Sequence, residues 1–138
     1  MSNYMGKTEM KAVASPQTLT ASYVSLGTAA VAIPQANQVW IELLYTAGTE
    51  ANGLDIVLRW LNAPGDLTEI KELLYTDTGD SLEAREKVVY VPKALAGKVS
   101  IPIQPNGRRF FKVYVKTDGA IGGAAGTVTG DAQFYLVD

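Results

Sequence analysis

The stretch Gln38-Val-Trp-Ile-Glu-Leu-Leu-Tyr-Thr46, followed by Leu54-Asp-Ile-Val-Leu-Arg-Trp-Leu61, is the longest apolar region of the chain and holds both tryptophans. Val39, Ile41, Leu43 and Tyr45 alternate with Trp40, Glu42, Leu44 and Thr46. Ile56, Leu58 and Trp60 alternate with Asp55, Val57, Arg59 and Leu61. A period of two is the mark of a strand, whose side chains point to opposite faces. The polar, Gly-containing link from Ala47 to Gly53 predicts an antiparallel hairpin. Glu42 opposite Arg59 is the register that keeps one face wholly apolar. That face carries Ile41, Leu43, Tyr45, Ile56, Leu58 and Trp60 and is expected to be core. The other carries Trp40, Leu44, Val57 and Leu61 around the ion pair. An apolar patch of this kind needs a cover, from the same chain or from a neighbouring subunit.

The remaining chain reads as more strands. Residues 1–16 are polar and aperiodic and are expected to form an extended N-terminal arm, leaving 17–138 as one β-sandwich domain. Gln17 to Leu26 is a first strand. Thr28 to Ile33 is a second, stopped by Pro34, with a turn at Gln35 to Asn37. Asn62-Ala-Pro-Gly-Asp66 carries strong turn chemistry. Leu67 to Thr76 fits both a strand and, through Leu67, Ile70, Leu73 and Leu74, the helical period. The recurrence of Glu42-Leu-Leu-Tyr-Thr46 as Glu72-Leu-Leu-Tyr-Thr76 favours a strand. Asp77 to Glu86 is a polar loop and Lys87 to Val91 a short strand. Val99 to Ile103 and Phe111 to Val115 form a second hairpin across Asn106-Gly107. Pro102 lacks an amide, which places its strand at an edge or a bulge. Thr117 to Gly126 is a flexible glycine-rich loop. In the closing strand, Val128, Ala132, Phe134 and Leu136 point inward. Eight or nine short strands with frequent turn signals imply an all-β, antiparallel β-sandwich of jelly-roll type.

Composition narrows the chemistry. The chain has 138 residues, no cysteine and no histidine. Disulfides, thiolate nucleophiles, histidine-based triads and histidine zinc sites are thereby excluded. A net charge of −2 gives no electrostatic footprint for nucleic acid. No apolar run is long enough for a membrane helix, and the N-terminus has no signal-peptide core.

The remaining candidates read as structural. The glycine-rich loop at 119–126 lacks the Lys-Ser/Thr of a phosphate-binding loop. Asp77, Asp80 and Glu83 do not match a calcium loop. Glu69, Glu72, Asp77 and Asp80 show no spacing that implies a catalytic carboxylate pair. Trp40 and Trp60 suit packing better than a sugar platform. Arg108 and Arg109 sit at a loop tip, where they suit solvent or an acidic partner. No catalytic, cofactor or metal residues are assigned, and no enzymatic activity is expected. Trp40, Leu44, Val57, Leu61, Arg108 and Arg109 are the candidate interface.

Thr18 to Gly27, Val39 to Leu44, Leu54 to Trp60 and the closing Ala132-Gln-Phe-Tyr-Leu-Val-Asp138 together resemble small β-sandwich virion proteins of tailed bacteriophages. Within that group they are most similar to head decoration, or cement, proteins. The resemblance implies a homo-oligomer, often a trimer, bound to the major capsid protein on the outer capsid of a virion assembled in the host cytoplasm. It implies no enzymatic activity, no nucleic acid and no membrane. A neck, tail or fibre component is the alternative within the same particle. A carbohydrate-binding module is the alternative outside it.

Overall fold

The computed structural model describes residues 4–27, 30–33 and 38–137, and among them the chain is an antiparallel β-sandwich. Its strand segments are β1 (Tyr4–Thr18), β2 (Val24–Ser25), β3 (Val31–Ala32), β4 (Gln38–Thr46), β5 (Gly53–Leu61) and β6 (Ile70–Lys71). They continue with β7 (Leu73–Asp77), β8 (Leu82–Glu86), β9 (Val89–Pro92), β10 (Gly97–Ile103), β11 (Phe110–Asp118) and β12 (Thr127–Val137). One sheet has the order β1-β12-β4-β10. The second has the order β2-β11-β5-β6, with β3 also on β11 and β9 also on β5. A separate two-stranded hairpin is made by β7 and β8.

The alternation in the central stretch is realised, but the expected hairpin is not. β4 pairs with β12 and β10, whereas β5 pairs with β11, β9 and β6. Glu42 lies opposite Ser100 and Asp131, and Arg59 lies opposite Lys112 and Lys71. The two strands therefore belong to different sheets and face each other across the core. The reason is area. Both strands carry an unbroken inner row, and a sandwich buries two such rows against each other at a spacing of about 10 Å. A hairpin would leave the rows side by side, needing another layer to cover both. The buried set follows this geometry: Val39, Ile41, Leu43, Tyr45 and Val128 meet Leu54, Ile56, Trp60, Phe111, Val113 and Val115.

The second expected hairpin is divided in the same way. β10 pairs with β4, while Phe111 and Val113 on β11 pair with Trp60 and Leu58. The Asn-Gly turn is present nonetheless. Asn106 and Gly107 have φ of 50° and 84°, and the Arg108 N–H donates to the Pro105 carbonyl at 2.9 Å. Positive φ at both central positions defines a type I′ turn. Here it reverses the chain from one sheet to the other. Pro102 lies on β10, an edge strand, as its missing amide requires.

Of residues 1–16, expected as an arm, 4–16 supply most of β1, which pairs along β12 from Tyr4–Val137 to Thr18–Thr127. Register shifts fall between Tyr4 and Lys7, Lys7 and Glu9, and Val13 and Gln17. Each shift offsets the backbone pairing by a residue, so the ladder does not run with one uninterrupted period. The strand expected over Gln17 to Leu26 is broken. It contributes the end of β1 and the two residues of β2, with Leu19 and Leu26 donating N–H bonds to the Gly126 and Val113 carbonyls at 2.9 and 2.8 Å. Of the expected strand at Thr28 to Ile33, Val31–Ala32 is β3; residues 28–29, and the turn at 34–37, lie outside the described residues. The side chains of Ala132, Phe134 and Leu136 also lie outside them. Of the stretch Leu67 to Thr76, residues 67–69 are irregular and the rest is strand rather than helix, beginning at Ile70 and interrupted at Glu72 between β6 and β7. The expected polar loop at 77–86 contains β8.

Engineered cysteine pairs test this topology, since the natural chain has none. Glu42→Cys with Ser100→Cys is expected to oxidise to an intramolecular disulfide, and Glu42→Cys with Arg59→Cys is not. Thiol titration after mild oxidation reads the difference.

Candidate functional site

The six candidate interface residues do not form one surface. Trp40 and Leu44 share the outer face of the β4 sheet, Trp40 half-buried and Leu44 43% exposed. Val57 and Leu61 lie on the outer face of the other sheet and are only 1% and 2% exposed, so the chain covers them itself. Arg108 and Arg109 are exposed at the turn between β10 and β11. The Arg108 guanidinium sits 5.8 Å from the ring centre of Trp60. The tryptophans are separated as well. Trp60 is buried edge-on to Phe111, with ring centres 5.8 Å apart, and its Nε1 donates to Glu72. A two-tryptophan sugar platform is therefore absent.

The densest gathering of charge is on the outer face of β5 and β11. Arg59 donates to both carboxylate oxygens of Glu86, from Nε and from a terminal nitrogen, at 3.1 Å each. It lies 3.8 Å from Glu69 and beside the rings of Tyr114 and Tyr23, at 4.7 and 5.6 Å from their centres. The Tyr114 hydroxyl donates to Glu69. Burial first, and then this carboxylate, push the Tyr114 pKa up to about 12. The fork of hydrogen bonds that Arg59 donates to Glu86 holds its guanidinium above its ordinary value. Lys116 pairs with Asp55 at 3.2 Å and lies 5.5 Å from the Tyr23 ring centre. Burial raises the Asp55 carboxyl, and neighbouring Asp118 adds to it. Here the principal charges have partners, so the cluster fastens elements together. It ties β8, through Glu86, and the segment before β6, through Glu69, to the sheet.

A second polar centre is buried at the end of the sandwich. Glu50 is fully buried, and its carboxylate accepts the Gly48 N–H at 2.7 Å and the Gly126 N–H at 3.2 Å. The loop between β4 and β5 is thereby joined to the glycine-rich loop before β12. Backbone bonds from Thr49 to Ala124 and from Ala51 to Ala120, both 2.9 Å, complete the junction. The loop expected to be a flexible connection is pinned along its length. The close approach needs glycine, because a Cβ on Gly126 would lie 2.4 Å from the Thr46 carbonyl oxygen and 2.6 Å from Glu50 Oε1. The buried Tyr45 hydroxyl faces this region and has no hydrogen-bond partner among the described residues. Burial, then the Glu50 charge, push its pKa up to about 12.

The third feature is a cleft of about 420 Å³ at the side of the sandwich, where β10 and β9 leave the layers unsealed. Ile41, Ile56, Leu58, Val89, Ile101 and Ile103 form its apolar wall. Glu72 and Lys87, 4.0 Å apart, stand at the base of the β7–β8 hairpin and also line the cleft. Apart from Glu86 at its base, the hairpin is exposed along both strands, including Leu73, Leu74, Tyr75 and Leu82. Among the described residues, no three acidic side chains converge as a metal site. Asp77 instead accepts the Gly79 N–H at 2.8 Å, and Glu83 pairs with Arg85 at 3.4 Å.

Comparison of the chain with protein-family models, with curated proteins and with solved structures found no match.

Sequence reasoning missed Glu50 and the projecting hairpin. The signal for Glu50 was a lone acid among small residues in a loop, with a second loop of small residues elsewhere to receive it. The signal for the hairpin was Leu82 within a polar run, opposite Leu-Leu-Tyr across Thr78-Gly-Asp-Ser81.

Two outcomes follow. Glu50→Ala leaves the Gly48 and Gly126 N–H groups buried without an acceptor, and is expected to lower unfolding free energy by about 2–4 kcal/mol. Glu50→Gln keeps one acceptor oxygen and is expected to lose less; urea denaturation measures both. Tyrosines 45 and 114 titrate higher in the folded chain than the ordinary 10.0. Between pH 10 and 12 the unfolded chain has lost these protons and the folded chain retains them, so stability falls as pH rises. Tyr114→Phe is expected to make that fall shallower in urea midpoints recorded across the same window.

Proposed function

We propose that the chain is a structural virion protein of a tailed phage, which binds the outer capsid surface and stabilises the head. The observation that carries this reading is the β7–β8 hairpin, which extends large apolar side chains into solvent beside an open apolar cleft. Large apolar side chains exposed together beside a cleft favour an interaction surface. Its removal from water yields about 25 cal/mol per Å², repeated over many symmetric copies of a shell. The densest ionic cluster supports the same reading, because its charges are engaged in fastening strands. The resemblance to head decoration proteins supplies the partner: the major capsid protein, with further copies of the chain itself.

Within one particle, a neck, tail or fibre position has the same physical basis. Sedimentation separates the positions. Purified chain is expected to co-sediment saturably with heads of the phage that encodes it, and not with isolated tails. Decorated heads are expected to release DNA at a higher temperature than bare ones. Absence of binding to heads overturns the decoration reading, and binding to tails moves the protein to the tail.

A further inference from the structure

We propose that the β7–β8 hairpin of one copy lies in the side cleft of a second copy, and that the exchange is reciprocal about a two-fold axis. This deepens the proposed function by naming the partner of one surface, and it rests on the reading of the chain as an assembly subunit.

The donor is built for the task. Glu86, held by Arg59 through two 3.1 Å bonds, fixes the base of the hairpin to the sandwich. The Lys87 N–H donates to the Glu72 carbonyl at 2.8 Å and closes that base. Beyond it, Leu73, Tyr75, Ala84 and Leu82 share one face of the hairpin by register, with Glu86 at its base and Asp77 at its tip. Tyr75 and Leu82 are each 69% exposed, and Leu73 is 48% exposed. A two-stranded hairpin with no layer against it is marginal in water. These side chains need an acceptor.

The acceptor is on the same molecule. The cleft presents an apolar wall of aliphatic side chains, and one side of it is β10. β10 is an edge strand whose outer backbone groups are unpaired among the described strands. Pro102 has no N–H to offer along that edge, so the contact is made by side chains rather than by an added strand. The charges match as well. The hairpin tip carries Asp77, Asp80 and Glu83 against a single Arg85. The cleft ends at Gln104 and Asn106, and the same turn continues into exposed Arg108 and Arg109, which have no ion-pair partner among the described residues.

Position decides the symmetry. Glu72 and Lys87 belong both to the root of the hairpin and to the lining of the cleft. Donor and acceptor thus lie side by side on one surface. A surface that carries both halves of a contact is self-complementary, and one two-fold axis satisfies both halves at once. The product is a closed dimer, which differs in mass from the trimer that the resemblance implies.

Sedimentation equilibrium on the full chain is expected to give a concentration-dependent dimer. Tyr75→Ser, at an exposed site, is expected to raise the dissociation constant about thirtyfold while leaving the thermal midpoint of the dilute, monomeric chain unchanged. A nitroxide on Asp80→Cys, the only thiol in that chain, locates the contact. Mixed with isotope-labelled wild type, it is expected to broaden the methyl signals of Ile101, Ile103 and Val89. A monomer at every concentration overturns the inference, as does association indifferent to Tyr75→Ser. Broadening seen only when label and isotope share one chain shows the hairpin closing on its own cleft, and also overturns it. If a monomer still co-sediments with heads, this inference fails and the decoration reading stands. A dimer that ignores heads has the opposite meaning.

Discussion

Two strands with unbroken apolar inner rows, β4 and β5, press those rows against each other, and the rest of the fold is arranged to permit it. Once they occupy opposite layers, their connection must cross the sandwich rather than turn back within a sheet. So must the connection from β10 to β11. The two crossings have different chemistry. One is a type I′ turn at Asn106-Gly107. The other is a loop too polar to close over the core by itself. Its Glu50 is held by amides from its own loop and from the glycine-rich loop before β12. A buried carboxylate with such donors is tolerated, whereas one without them would cost several kcal/mol.

The same arrangement explains where the polar groups went. The outer face of β5 is enclosed by Arg59, Tyr23, Tyr114 and Lys116 with their carboxylate partners. Val57 and Leu61 on this face are buried within the chain. What stays uncovered is elsewhere: the cleft between β10 and β9, and the hairpin rooted at its rim. Stability and interaction are thus served by different faces. The cation–aromatic and ion-pair cluster fastens the hairpin base, and the hairpin presents apolar groups that the sandwich does not use.

Much of this was legible in residues 38–61. Period two identified the strands and the inner row, and β-branched residues with frequent turn residues identified an all-β sandwich. Pro102 marked an edge strand. The candidate interface was less legible. Trp40, Leu44, Val57 and Leu61 share a parity, but parity fixes only the face of a strand within its own sheet. It does not say which sheet that strand joins. Once β4 and β5 separated, the four residues separated with them, two to one outer face and two to the other.

The sequence by itself determined the alternation, the turn at Asn106-Gly107, the exclusion of cysteine and histidine chemistry, and the sandwich class. These are local or compositional properties, fixed by side-chain period, backbone dihedral preference and residue type. The tertiary structure alone decided the pairing of β4 with β12 and β10, the burial of Glu50, and the conversion of an aperiodic N-terminal stretch into β1. It also left a cleft and a hairpin uncovered side by side. Those outcomes depend on which distant segments compete for one apolar row. That competition is settled by the area buried across the whole chain, and no single stretch contains it.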